Sequence, residues 1–129
     1  MPQTRALVIS LKPRFADPIY KSLKRFEFRR VCPSLSAPIQ AYIYESYPVK
    51  KVTGTMELLE TIHGSVPNLL ALPDAFDPCI PAYPGYLEGA TRPGALRIGR
   101  VKKWGEPRAL AEVAPMLIRP PQSYCYIAP

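Results

Sequence analysis

Proline is the feature of this sequence that most constrains its fold, because it occurs 17 times in 129 residues. Proline normally makes up about 5 % of a protein. It lacks a backbone N–H donor and interrupts helix interiors and central strands. We therefore expect short elements joined by many turns, and we exclude helical bundles and coiled coils. An apolar fraction of 47 % is ordinary for a globular protein and argues against disorder.

Hydrophobic periodicity predicts a mainly β fold with short helices (α+β) in the segments between the prolines. Apolar side chains alternate with a period of two, as on strands, and Phe15, Ile19 and Leu23 follow a helical spacing. Residues 61–91 hold five prolines and three glycines, so we expect a loop there with at most one short helix, at 66–72. The predicted strands are residues 5–12, 22–30, 39–45, 49–60, 95–104 and 124–127, and the other predicted helices are 14–23 and 107–116.

The stretch 22–30 carries the most informative pattern in the chain. On a strand, Phe26 and Phe28 share one face, and Arg25, Glu27 and Arg29 share the other. A charged strand face of this kind is sufficient for solubility alone. The more specific interpretation is a polar site that binds an anionic ligand and recognises it with a carboxylate. In that interpretation Glu27 is a surface residue of a groove, and its charge is not needed for stability.

The net charge of +7 is unevenly placed along the chain. Residues 1–30 carry eight Lys or Arg against two acids, residues 31–95 carry three against six, and residues 96–129 carry six against two. If the two ends meet in one sheet, their positive charge pools on one side, which suits a polyanion such as RNA or DNA. A basic protein without a nucleic-acid partner is the alternative.

Cysteine and histidine usage argues against a zinc site, and we expect no metal and no cofactor. Cys32, Cys79 and Cys125 are widely spaced, and His63 is the single histidine, whereas a zinc site needs about four ligands, usually in close pairs. We expect reduced, mostly buried thiols in a cytoplasmic protein. Residues 1–11 contain no apolar run of signal-peptide length, and no stretch has the length of a membrane span.

Several motifs in this chain resemble those of the ASCH domain of the PUA-like superfamily, and they occur in the same order along the sequence as in that family. Lys24, Glu27 and Arg29 fit the ASCH signature Gly-x-Lys-x-x-Glu-x-Arg, although Ser22 stands at its glycine. If that turn requires a positive φ, Ser22 is mildly strained. Further matches are residues 11–13 after the first strand, residues 43–49 followed by Gly54, and residues 120–124.

The resemblance implies a single domain, residues 1–129, folded as a small PUA-like β-barrel of five to six strands with a groove beside the first helix. ASCH domains have been proposed as RNA-binding modules, and some relatives in the superfamily bind modified nucleobases. One branch hydrolyses N4-acetylcytidine with a Lys-x-x-Thr motif. In this chain Lys24 matches the lysine, but Glu27 replaces the threonine nucleophile. A few ASCH proteins are reported to cut RNA.

The first function that follows is binding of RNA or of a modified nucleoside or nucleotide. Cations would hold phosphates, Glu27 would accept hydrogen bonds from a base edge, and Tyr44 or Tyr47 would stack on a base. The predicted binding residues are Lys12, Arg14, Lys24, Glu27, Arg29, Arg30, Tyr44, Ser46, Tyr47, Gln122 and Ser123.

Two other functions stay open at this point. A metal-independent hydrolase of RNA or N4-acylated cytidine would use Lys24 as base or acid, with its pKa lowered by Arg25 and Arg29, and Glu27 to activate a water molecule. A small regulatory protein would bind a protein partner instead. The sequence alone does not decide whether the chain is an enzyme.

Overall fold

The computed structural model describes residues 5–128, so residues 1–4 and 129, the ends of the predicted domain, lie outside the described residues. The chain forms six strands, short α-helices and one turn of 3-10 helix (Ile80–Ala82). The strands are β1 (Ala6–Leu11), β2 (Phe26–Arg29), β3 (Ile39–Glu45), β4 (Lys51–His63), β5 (Gly94–Arg108) and β6 (Tyr124–Ile127). The α-helices are α1 (Pro13–Tyr20), α2 (Val66–Leu70), α3 (Tyr83–Leu87) and α4 (Leu110–Val113).

All six strands join one curled, half-barrel sheet in the order β2-β5-β4-β3-β1-β6, which confirms the predicted small β fold. β1 is parallel to β3, and the other neighbouring pairs are antiparallel. β1 lies inside the sheet and is covered on both faces, which explains its nearly continuous apolar sequence. Ala6 lies opposite Ile127, so the two ends of the chain meet in one sheet, which is the condition under which their positive charge pools.

The main core lies between the sheet and α1. Ile9, Ile43 and Leu58 from three strands are fully buried together with Ala16 and Ile19 of the helix. Burying a side chain such as Leu or Ile contributes about 1.5–3 kcal/mol. Pro13 at the first position of α1 starts the helix without the loss of a needed N–H. The packing therefore fixes the beginning of α1 against the ends of β1 and β3.

The connection after α1 differs from the predicted boundaries. The helix ends at Tyr20 rather than at residue 23, and β2 begins at Phe26 rather than at residue 22. Between them Ser22 has φ 60, in the left-handed region. The expectation of strain at Ser22 is therefore confirmed, since a residue other than glycine there costs about 1–2 kcal/mol.

Residues 61–91 contain more structure than the sequence predicted. β4 continues to His63, and α2, the 3-10 helix and α3 follow in place of a single short helix. Each of these three helical segments has proline at its first or second position, where a missing N–H costs least. Leu69, Tyr83 and Leu87 form a second core with Phe28 of β2. The prolines thus start these helices instead of preventing them.

The far end of the β4–β5 hairpin is irregular. The register shifts between Val52 and Gly54 in the pairing of β4 with both of its neighbours, β3 and β5, and a Cβ atom at Gly54 would collide with the carbonyl oxygen of Lys102. A glycine inside a strand often marks a bulge or a close backbone approach of this kind. β5 extends to Arg108, so α4 occupies only part of the helix predicted at 107–116. Within residues 5–128, no helix is both long enough and apolar enough to span a membrane.

Candidate functional site

A cavity of about 1070 Å³ opens beside the first turn of α1. Its walls come from the ends of β1 and β3, from β2, and from the segments 81–86 and 120–124. Tyr47, which is 77 % exposed, does not line it. The other predicted site residues all do: Lys12, Arg14, Lys24, Glu27, Arg29, Arg30, Tyr44, Ser46, Gln122 and Ser123.

Lys24, Glu27 and Arg29 form a buried ionic group at the cavity wall, which we call the signature cluster. The Lys24 Nζ atom lies 2.6 Å from Glu27 Oε1, and an Arg29 terminal nitrogen lies 2.8 Å from Glu27 Oε2. The three residues are only 3 %, 3 % and 6 % exposed. Two cations and one carboxylate leave the cluster with one net positive charge. Among residues 5–128, no acceptor pairs with the buried Nε–H of Arg29.

Glu27 is ionised in this environment. Burial by itself raises the pKa of the carboxyl group, but the neighbouring Lys24 ammonium and Arg29 guanidinium outweigh burial and lower the pKa below its ordinary value. A carboxylate with a lowered pKa is a weak base, and its charge is neutralised by the two cations. Its clearest physical role is to hold the two cationic side chains in fixed positions.

The depth of the signature cluster corrects the sequence interpretation of β2. Both faces of this short strand are buried, so Glu27 and Arg29 are not surface residues. Arg25 is not part of the cluster, because its side chain is 66 % exposed and lies 3.8 Å from Asp74. Phe28 belongs to the second core as predicted for its face, yet it also lines the cavity.

The mouth of the cavity is also cationic. Lys12, Arg14 and Arg30 are exposed, and they join the two cations of the signature cluster around the same space. Among the described lining residues Glu27 is the single acid, so five cations face one carboxylate and the lining carries a net charge of +4. Such a cavity attracts anions.

Backbone contacts hold the opposite wall in place. The Ser10 hydroxyl donates to the carbonyl oxygen of Pro121 at 2.7 Å, and the Ser10 amide donates to that of Ser123 at 2.9 Å. Arg29 reaches across the cavity and donates to the Ser123 hydroxyl at 3.1 Å. The Ser46 amide donates to the Leu11 carbonyl oxygen at 2.9 Å. The ends of β1 and β3 and the segment 120–124 are thus joined directly to the signature cluster.

The sequence analysis missed the wall formed by residues 81–86. Tyr83 packs its ring on Phe28, with 4.6 Å between centroids, and its hydroxyl donates to Asp77 at 2.7 Å. Burial and the Asp77 carboxylate raise the pKa of the Tyr83 phenol. Arg30 donates to the carbonyl oxygens of Tyr86 and Glu88 at 2.6 and 2.8 Å. The spacing of Tyr83 and Tyr86, one helical turn apart, was the available signal.

The thiols and the histidine do not enter the cavity. Cys32, Cys79 and Cys125 are free, and the first two are buried as predicted. Burial raises the pKa of the Cys32 thiol to about 12. His63 is exposed, and its Nε2 atom lies 3.0 Å from the Ser34 hydroxyl, away from the cavity lining. Over residues 5–128, no three His, Cys, Asp or Glu side chains come together as a candidate metal site.

Comparison with known proteins was made at the levels of sequence and of structure. No protein-family model matches this sequence. A curated protein from Zymomonas mobilis subsp. mobilis, named ASCH domain-containing ribonuclease, is 38 % identical over 69 residues. That match covers 54 % of this chain and 47 % of the relative, so it spans about half of the relative's length.

The structural matches extend further along the chain. The crystal structure of the ASCH protein from Zymomonas mobilis matches with a TM-score of 0.77 and 28 % identity, covering 95 % of this chain and 87 % of that one. A tyrosine-to-phenylalanine variant of the same protein matches with a TM-score of 0.81 and 28 % identity, covering 95 % and 89 %. This overlap agrees with the resemblance carried by Lys24, Glu27 and Arg29, and it supports the prediction of an ASCH domain in this chain.

Proposed function

We propose that this protein binds single-stranded RNA and holds one nucleotide in the cavity beside α1. The observation that carries the proposal is the lining of the cavity, in which five cations face one carboxylate that is already neutralised. The curated relative with the name ribonuclease supports RNA as the polyanion. A free modified nucleotide would meet the same groups, and it serves as a competitor in the experiment below.

The cations at the mouth suit the phosphate groups of such a ligand. Lys12 and Arg14 are exposed at the start of α1 and are free to turn toward a phosphate. The unpaired Nε–H of Arg29 supports an acceptor nearby, because a buried donor without a partner costs about 1–3 kcal/mol. In this arrangement Glu27 positions Lys24 and Arg29. The predicted contact of Glu27 with a base edge is disfavoured, since each of its oxygens already lies close to a cation.

Aromatic rings around the cavity suit the base. Stacking of a base on an aromatic ring contributes about 1–3 kcal/mol and tolerates every base. The cavity is at the upper end of the usual size of ligand pockets, about 300–1,000 Å³, and leaves room for a nucleotide. The aromatic residues in its lining are Phe15, Phe28, Tyr44, Tyr83, Tyr86 and Tyr124.

Fluorescence anisotropy with a labelled single-stranded RNA of about twelve nucleotides tests the proposal. We expect binding that weakens with salt, with a slope of log K against log[salt] of about −0.7 per phosphate contact. Arg14→Ala should reduce the affinity severalfold. Lys21→Ala is the matched control, because Lys21 lies just after the same helix, pairs with Asp17 and does not line the cavity. Equal affinities for the two variants, or a response that is flat in salt, would contradict the proposal.

Cleavage of the bound RNA is the second candidate function, and the name of the curated relative favours it. In the predicted scheme Lys24 and Glu27 carry the chemistry, but the lowered pKa of Glu27 makes it a poor general base. Incubation of end-labelled RNA with the protein, with and without EDTA, tests for cleavage and for the predicted independence from metal. A substrate with 2′-deoxy positions tests whether the ribose hydroxyl attacks, and release of acetate from N4-acetylcytidine tests the other predicted hydrolase.

A further inference from the structure

We propose that the far end of β5 is a second RNA-binding surface, which holds nucleotides that extend out of the cavity. The surface, which we call the β5 ridge, consists of Arg100, Lys102, Lys103 and Arg108. The inference rests on the proposed function, because it concerns the part of the same RNA strand that the cavity cannot hold.

The β5 ridge carries positive charge that nearby acids compensate only in part, since the Glu57 carboxylate accepts a hydrogen bond from the Arg100 amide at 3.5 Å. Its four residues are exposed, and Glu106 is the single acid among residues 100–108. None of the four forms a salt bridge in the described part of the chain, residues 5–128. A half-buried cation on the same strand does pair with a carboxylate, since Arg97 lies 3.4 Å from Glu60. The ridge therefore differs from an ordinary charged surface, in which charges of both signs alternate.

Strand geometry concentrates this charge. Lys103 lies opposite Gly54, and Arg108 lies opposite Val52, so the four residues between the two cations form a bulge against β4. The bulge brings the last cation of β5 back toward Lys103. Lys103 lies over the Tyr20 ring, with its ammonium 5.5 Å from the centroid, whereas Arg108 lies over Trp104, so the ridge presents cations on both sides of this edge. Cations grouped in this way suit a phosphate backbone.

Aromatic contacts hold the cationic groups of this surface in place. The Arg108 guanidinium lies over the Trp104 ring, with its central carbon 4.5 Å from the centroid. Trp104 packs in turn on Tyr42, with 6.2 Å between centroids. An exposed guanidinium supported from below by a ring presents a flat cationic surface on which an unpaired base stacks. Trp104 itself is part of the packing of a third core cluster.

The β5 ridge is continuous with the mouth of the cavity. Ser46 lines the cavity, and the next residue, Tyr47, projects into solvent with the Lys50 ammonium 5.6 Å from its ring centroid. β4 starts one residue later, and its second residue, Val52, pairs with Arg108. The turn between β3 and β4 thus leads from the cavity to the ridge. Tyr47, the one predicted binding residue outside the cavity, has a role as a stacking group along this path.

The experiment compares a trinucleotide with a twelve-nucleotide RNA on the full chain. In Lys102→Ala/Arg108→Ala, we expect unchanged affinity for the trinucleotide, at least fivefold weaker binding of the longer RNA, and a salt slope smaller by about 1.4, or 0.7 for each lost contact. Arg97→Ala/Lys21→Ala removes two paired cations and should leave both affinities unchanged. Trp104 is the single tryptophan, so its fluorescence in the wild type should change with the longer RNA only.

The outcomes separate the two proposals. If cavity variants weaken both RNAs while the double variant leaves the longer RNA unaffected, the ridge is not a binding surface and the proposed function stands. If the double variant weakens the longer RNA but Arg14→Ala does not, the ridge binds RNA and the cavity does not. If neither RNA binds the wild type, both proposals are wrong. Thermal melts of each variant confirm that the compared proteins are folded.

Discussion

At the scale of single residues, Glu27 behaves differently in the structure from what its sequence context predicted. On a strand with alternating charges it looked like an exposed group of a groove, but it is buried between two cations. A buried charge that loses its partner costs far more than an exposed one, about 3–5 kcal/mol for a broken pair. The signature cluster therefore contributes to folding as well as to the character of the cavity.

The first prediction concerns removal of this charge. Glu27→Gln should lower the free energy of unfolding by about 3 kcal/mol, because it leaves Lys24 and Arg29 buried without a counter-charge. Glu60→Gln, which breaks the exposed pair with Arg97, is the matched control and should cost about 0–1 kcal/mol. Urea unfolding monitored by circular dichroism measures both. A loss below about 1 kcal/mol for the Glu27 variant would agree instead with the sequence interpretation, in which Glu27 is a surface residue whose charge is not needed for stability.

The second prediction is the pH dependence of the same difference. The pKa of Glu27 in the folded protein lies below its ordinary value of 4.5, so the unfolded state binds this proton more readily. The stability from the ionised carboxyl is therefore fully present above about pH 4.5 and is lost as the pH falls through the folded-state pKa. Urea melts at decreasing pH should show the gap between wild type and Glu27→Gln closing below pH 4.5. A gap that stays constant would mean that the charge of Glu27 is not what stabilises the fold.

A third prediction concerns the turn before β2. Ser22 occupies the left-handed region, and glycine there avoids a cost of about 1–2 kcal/mol while losing about 0.5–1 kcal/mol of chain entropy. Ser22→Gly should therefore stabilise the protein by about 0.5–1 kcal/mol and raise Tm by a few degrees. Ser36→Gly, at an exposed serine without a positive φ, is the control and should be neutral or destabilising. A lower Tm for the Ser22 variant would show that the wild-type serine side chain stabilises the protein by more than the backbone strain destabilises it.

At the scale of elements, the wall built from the 3-10 helix and α3 depends on a few specific contacts. Tyr83 connects this wall to the buried Asp77 carboxylate and to Phe28 of β2, and Arg30 connects it to the end of β2. These elements are too short to be stable alone, so tertiary contacts must order them. The shape of the cavity on this side follows from those contacts.

The fourth prediction tests that dependence. Tyr83→Phe keeps the ring contact with Phe28 but removes the 2.7 Å hydrogen bond to Asp77, whose carboxylate is only 4 % exposed. An unpaired buried acceptor costs about 1–3 kcal/mol. Hydrogen exchange should accelerate at amides 77–88 while the amides of β1 keep their protection. Tyr47→Phe is the control. Unchanged exchange in segment 77–88 would show that the wall is held without the Tyr83 hydroxyl.

Periodic elements were predictable from the sequence, and elements that depend on distant contacts were not. The bounds of β3 and β6 agree with their apolar alternation, because each packs a regular face on the core. The wall at 81–86 carries too few residues to show a period, and its helices exist because Tyr83 and Leu87 pack on β2. Ten of the residues that line the cavity were named from the sequence, with the help of the family resemblance. The depth of the signature cluster was not predicted, since burial of charge depends on the pairing of β2 with β5.

At the scale of the whole molecule, one end of the sheet brings together charged residues that are far apart in the sequence. The pairing of β1 with β6 places segment 120–124 against Ser10, where Ser123 meets Arg29. The turn between β3 and β4 then leads from this end of the sheet to the cationic β5 ridge. Under the two proposals, an RNA strand starts in the cavity and continues along the surface.

The central claim is that RNA binds in the cavity, and a ¹⁵N–¹H NMR titration with a short single-stranded RNA tests it most directly in a protein of 14.4 kDa. We predict saturable chemical-shift changes at the backbone amides of Lys12, Ser46 and Ser123, together with the side-chain Nε–H of Arg29, which would gain an acceptor. Amides of α2, away from the cavity lining, should not change. Saturable binding whose shifts leave the cavity residues unchanged would contradict the claim.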